Sequence, residues 1–116
     1  MKVLIVEDEI FAALHLETAI KELGCEVIGI APDASSALEL AEKSPDLALV
    51  ELNLRDGLTG PEIARSLANR YGTKVLILTA NPQEAGEPFE GLIGVVSKPW
   101  SDAALARTLE KVRLPD

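Results

Sequence analysis

Cysteine occurs once in these 116 residues, at Cys25, so no internal disulfide can form and no second thiolate can join it at a metal. The ordinary role for such a residue is a small, partly buried side chain at the start of a strand. Apolar runs are short, and none approaches the ~20 residues that cross a bilayer as a helix. The start, Met1-Lys2-Val3-Leu4-Ile5-Val6, is too brief and runs too soon into acid for a signal peptide, so no membrane and a cytoplasmic location are expected. Basic residues are scarce: the net charge is −8 and no Lys/Arg stripe exists. That argues against direct contact with nucleic acid, which needs clustered cations to replace counterions, and points to protein partners and a cationic ion. Internal repeats, low-complexity tracts and Gly/Ser linkers are missing too, which leaves one domain over 1–116.

What is present is an alternation. Short apolar runs at Lys2–Val6, Glu26–Ile30, Leu47–Val50, Val75–Leu78 and Leu92–Val96 are mostly continuous Val/Ile/Leu, as in strands covered on both faces. Between them lie helical stripes. Leu16, Ala19, Ile20 and Leu23 are closed by Gly24; Ala34, Ala37, Leu38 and Ala41 follow Asp33 as N-cap. Ile63, Ala64, Leu67, Ala68 and Tyr71 run between Pro61 and Gly72, and Leu105, Leu109 and Val112 follow Ser101 or Asp102 as cap. One crossover breaks the pattern. From Ala80 to Gly91, two prolines and two glycines in twelve residues leave room only for a short turn or an irregular loop. Strands alternating with helices predict an α/β fold, a doubly wound five-stranded parallel sheet of order 2-1-3-4-5 with a degenerate fourth helix. Its site falls at the switch point between strands 1 and 3.

In such a sheet the residues just past each strand share one edge. Strand 1 ends in Glu7-Asp8-Glu9, strand 3 in Glu51-Leu52-Asn53, strand 4 in Thr79 and strand 5 in Ser97-Lys98-Pro99. Carboxylates converging there would raise one another's pKa. A Mg²⁺ ion, which favours carboxylate, carbonyl and water oxygens, would relieve that cost, and Lys98 would relieve it further. Glu9 by itself reads as a cap of the first helix, where the dipole favours an acid.

These motifs resemble the receiver domain of bacterial two-component response regulators. The resemblance spans the chain and rests on Val-Leu-Ile-Val-Glu-Asp-Glu at 3–9, Pro-Asp-Leu-Ala-Leu-Val-Glu-Leu-Asn-Leu-Arg-Asp-Gly at 45–57, Leu-Thr-Ala at 78–80 and Ser-Lys-Pro at 97–99. It implies a flavodoxin-like fold and phosphorelay signalling by conformational switching and protein binding, without enzyme activity of its own. The implied partners are a sensor histidine kinase or phosphotransfer protein and a downstream protein. By the same resemblance, Asp8 is the direct Mg²⁺ ligand and Glu7 acts through water. The Asn53 carbonyl and the side chain at 51 complete the metal set. Thr79 is the switching hydroxyl, Lys98 pairs with the acceptor and its phosphate, and Lys98–Pro99 is cis.

The sequence departs from that family at its centre. The acceptor is expected to be aspartate, yet position 51 is Glu51. One extra methylene carries the carboxylate about 1.5 Å further into the cleft, and ~1 Å of misplacement can cost a hundredfold in rate. Little or no phosphorylation is expected, and the longer arm could act as a partial phosphomimetic near Lys98 and Thr79. Asp56, in the turn Arg55-Asp56-Gly57, is expected to face solvent and to be a poor substitute acceptor. Three residues before the matching lysine, the family's usual aromatic is replaced by Val95, so Thr79 is expected to act directly on 81–91. His15 reads as a solvated or partly packed side chain, Trp100 as an apolar anchor for the last helix and Tyr71 as core edge.

Two other readings compete: a pseudo-receiver that binds partners independently of phosphorylation, and a small Mg²⁺-dependent phosphotransferase or phosphatase. The enzyme reading lacks a second acceptor and a cap insertion. An electron carrier lacks a phosphate loop after strand 1.

Overall fold

A computed structural model describes residues 1–113; the last three residues of the expected domain lie outside the described residues. Five parallel strands, β1 (Lys2–Val6), β2 (Glu26–Ala31), β3 (Leu47–Val50), β4 (Lys74–Thr79) and β5 (Leu92–Ser97), form one sheet in the order β2-β1-β3-β4-β5. Four helices cover it: α1 (Ile10–Glu22), α2 (Ala34–Ala41), α3 (Gly60–Tyr71) and α4 (Asp102–Arg113). The central strands are buried on both faces, which is why they read as unbroken apolar runs. Leu4, Val6, Ala48, Val50, Val75 and Ile77 point to the α2/α3 side. Val3, Ile5, Leu47, Leu49, Leu76 and Leu78 point to α1 and α4.

The helix ends follow local chemistry. The Glu9 carboxylate accepts from the Phe11 and Ala12 N–H groups and so caps α1, as its position suggested, and Asp33 caps α2 by accepting from Ser36 N–H. Pro61 lies in the first turn of α3, and Gly72 closes that helix at φ 68°. Gly60 has a different reason to be glycine. A Cβ there would lie 2.2 Å from the Glu51 carbonyl oxygen and 2.4 Å from the Leu52 Cα, so α3 starts pressed against the end of β3. The irregular crossover between β4 and β5 holds a single 3-10 turn, Pro82–Ala85, so the helix that would stand there is degenerate as expected, and α4 is the one that follows β5.

Candidate functional site: the edge beyond β1, β3, β4 and β5

Strands β1 and β3 are neighbours, with Val6 opposite Val50. Glu7 and Glu51 therefore leave the sheet side by side; the Glu51 N–H donates to the Val6 carbonyl, and the Glu7 N–H to that of Ala31. Both side chains are buried although both are acids. Lys98 is what permits this. Its Nζ lies 2.8 Å from Glu7 Oε1 and 2.8 Å from Glu51 Oε1, bridging the two carboxylates. The peptide Lys98–Pro99 is cis.

The second oxygen of Glu51 is also occupied. Oε2 accepts from the Leu52 N–H at 2.6 Å and, more weakly, from the Asn53 N–H at 3.4 Å. Thr79, fully buried at the end of β4, accepts from the Asn81 N–H at 3.1 Å, and its hydroxyl helps to hold the neighbouring Glu51 carboxylate charged. Burial pushes the Glu51 carboxyl up. The Lys98 and Thr79 hydrogen bonds, the Lys98 charge and the Leu52 N–H outweigh it, and the net shift is downward. Lys98 is the mirror case. Burial pulls its pKa down, the hydrogen bonds it donates to Glu51 and Glu7 pull it up, and the net shift is upward. Both groups are held charged.

Glu7, Glu51, Thr79 and Lys98 are thus brought together, and Asp8 is not. Asp8 is exposed, without a hydrogen bond or ion pair to the described residues. Among the described residues no three His, Cys, Asp or Glu side chains are grouped as a metal cluster. The expected convergence of three carboxylates is therefore only partly met. The two acids that do meet are relieved by Lys98, the part expected of it beside a Mg²⁺ ion. The donor chemistry still fits a weakly held Mg²⁺, which keeps most of its waters and takes one or two carboxylates. Asp8 is uncommitted, and the Asn53 backbone follows at the rim.

Several participants escaped the sequence. The backbone donors of Leu52 and Asn53 carry no signature in their side chains. Asn53 Nδ2 donates to Glu84 Oε1 at 2.9 Å, a link into the crossover that proximity in sequence does not suggest. His15 and Trp100 stack, with ring centroids 4.6 Å apart, and His15 Nε2 lies 3.5 Å from Asp102. Trp100 also packs on the α1/α4 core, and so anchors the last helix as expected. Tyr71 lies at the core edge, with its hydroxyl on Glu42. Cys25 is buried just before β2, and Val95 is exposed. Asp56 faces solvent, but is engaged by Thr59 Oγ1 and the Ala34 N–H.

A doubly wound sheet with two buried acids, a lysine joined to the next residue by a cis-proline bond and a hydroxyl at one strand edge defines a signalling receiver. The family model for the response regulator receiver domain matches residues 3–110, and the chain belongs to that family. It is 31% identical over 114 residues to the phyllosphere-induced regulator PhyR of Methylorubrum extorquens, a match covering 95% of this chain and 42% of that protein. It is 31% identical over 115 residues to the transcriptional regulatory protein PdtaR of Mycobacterium tuberculosis, covering 94% and 55%. The chain thus spans about half the length of these curated relatives. The solution structure of the PhyR receiver domain of Erythrobacter litoralis superposes with a TM-score of 0.86 at 27% identity, covering 99% of this chain and 94% of that one. The crystal structure of PhyR from Brucella abortus gives 0.83 at 27% identity, covering 96% and 46%. Receiver domains are regulatory modules that interact with kinases or phosphotransfer proteins and with downstream effectors, and they generally bind Mg²⁺ at the acceptor site.

Proposed function

We propose that this receiver signals through protein binding with its acceptor pocket already neutralised, Glu51 supplying from within the anion that phosphorylation supplies elsewhere. The observation that carries this reading is the Glu51 carboxylate itself, which holds Lys98 and the Leu52 N–H at once, with the Thr79 hydroxyl beside it helping to keep it charged. Those are the donors that an incoming phosphoryl oxygen would need, and Glu51 has taken them. The mimicry is partial, because one carboxylate carries one charge and two oxygens, whereas a phosphoryl group carries about −2 and three. A ligand must supply about 5.5 kcal/mol of differential binding to invert a two-state equilibrium fully, so Glu51 biases the domain rather than locking it.

In this reading Mg²⁺ is held weakly, by Asp8 and the Asn53 carbonyl, with Glu7 and Glu51 contributing only as far as Lys98 releases them. When bound, the ion would supply neutralising charge at the acceptor. The upstream partner is a sensor histidine kinase or phosphotransfer protein, the output is a binding partner, and the chain has no catalytic activity of its own.

Incubation with acetyl phosphate and Mg²⁺, followed by mass spectrometry, tests the reading. The wild-type chain should stay unmodified, and Glu51→Asp should gain the mass of one phosphoryl group. Wild-type phosphorylation, or a Glu51→Asp variant that remains inert, would reject it.

A further inference from the structure

Two routes leave the Glu51 carboxylate and close on the same short turn. The first passes by the neighbouring Thr79 hydroxyl, which helps to hold that carboxylate charged and itself accepts from the Asn81 N–H. The second runs through the loop after β3: Glu51 Oε2 holds the N–H groups of Leu52 and Asn53, and the Asn53 side chain holds Glu84. Asn81 precedes the 3-10 turn and Glu84 lies within it, and the bond from the Glu84 N–H to the Asn81 carbonyl closes it. On the far side Arg65 of α3 donates to the Glu87 carbonyl at 2.7 Å, and its guanidinium lies 4.9 Å from the Phe89 ring centre. Ala85 and Phe89 reach the core from the same stretch.

That stretch has little regular structure to hold it. Pro82 and Pro88 lack N–H donors, Gly86 sits at φ 79°, and no helix or strand spans residues 80–91 beyond the single turn. Its order depends on side chains reaching in from outside, the situation in which local opening is governed by a few bonds. Resting on the reading of Glu51 as a built-in anion, we propose that Asn53 and Glu84 form a clasp, opposite the tether that Arg65 of α3 makes to Glu87 and Phe89, by which the occupant of position 51 controls how firmly residues 80–91 are folded down. The clasp supplies a route for the state of the pocket to reach the surface without the aromatic that Val95 replaces. Asn53 and Glu84 act as positioning residues, because neither completes the ion pair around Lys98.

Amide hydrogen exchange over 80–91 tests this without any phosphodonor. A lost surface hydrogen bond of ordinary strength shifts a local equilibrium by about two- to tenfold. Asn53→Ala and Glu84→Ala should each accelerate exchange in this segment by about that factor, and the double variant should be no faster than either alone. Glu84→Gln, which can still accept from Asn53, should stay close to wild type. So should Glu87→Ala, because the Arg65 bond there uses the backbone carbonyl. Glu51→Ala should accelerate the same amides. Wild-type exchange in Asn53→Ala and Glu84→Ala would overturn the clasp, and so would acceleration in those two that Glu51→Ala fails to reproduce. Both clasp side chains lie at the surface, which keeps those variants folded. A phosphorylation failure of Glu51→Asp, by contrast, would discredit the reading of the pocket and leave the exchange result standing.

Discussion

Two carboxylate–cation pairs sit at the same edge of the sheet. Glu51 with Lys98 lies beyond β3 and β5; Asp33 with Arg55 joins the loop after β2 to the loop after β3. Each acid also accepts from a backbone N–H, Leu52 in one case and Ser36 in the other. Each has its pKa lowered, Asp33 to about 2 through the Ser36 hydroxyl and N–H and then Arg55. What separates them is water. The difference lies at the cation: the Lys98 side chain is 24% exposed and that of Arg55 is 68% exposed, whereas the two acids, Glu51 at 10% and Asp33 at 18%, are alike. A charge in water falls back on solvent when its partner is removed, whereas a buried one has nothing else to turn to. Similar hydrogen-bond diagrams therefore predict different energies.

The largest break in that comparison is Lys98→Met. It fills similar space but leaves Glu7 and Glu51 facing each other uncompensated, and should cost about 3–5 kcal/mol in urea unfolding at neutral pH. Glu51→Gln should cost less, about 1–3 kcal/mol, because Lys98 keeps Glu7 while the charge-assisted bonds at 51 weaken. The pH dependence of that difference has a definite sign. The folded pKa of Glu51 lies below its ordinary value of 4.5, so the wild-type advantage is present above that pH and is lost as acid passes down through the folded value. Lys98 gives the opposite limb. Its raised pKa means that its contribution is full below the ordinary lysine value of 10.5 and fades as the pH rises through the folded one.

At the exposed pair, Asp33→Ala removes the α2 cap together with the ion pair and should lower the urea midpoint by less than either change above. Its contribution should hold above pH 3.8 and disappear as the pH falls to about 2. Arg55→Ala should be the smallest, with a midpoint indistinguishable from wild type at physiological salt, where solvent and ions already screen the pair. A loss at Arg55 equal to that at Lys98 would break the comparison outright.

Much of the fold was legible because it is written in local patterns. The strand runs came within a residue or so of their observed ends, and the Pro/Gly-rich stretch from Ala80 to Gly91 announced a missing helix. The identity of the site was legible for a related reason. Acid, hydroxyl and lysine each stood immediately past a strand, so a parallel sheet had to deliver them to one edge. The engagement of those groups was harder to read. Glu7 and Asp8 are adjacent in sequence, yet one is buried on Lys98 and the other faces solvent, because consecutive residues leaving a strand point to opposite sides. The Asn53–Glu84 and His15–Trp100 contacts join residues with no common pattern, and nothing short of the packed structure pairs them.

By itself the sequence determined the strand order, the family and the presence of glutamate where an acceptor stands, since periodicity, turn residues and side-chain type are properties of the chain alone. Only the tertiary structure decided that this glutamate is fully engaged, by a lysine 47 positions away (98 − 51), a buried threonine and its own following backbone. The physical reason is that hydrogen bonds and desolvation are settled within a few ångströms of space, and distance along the chain does not report them.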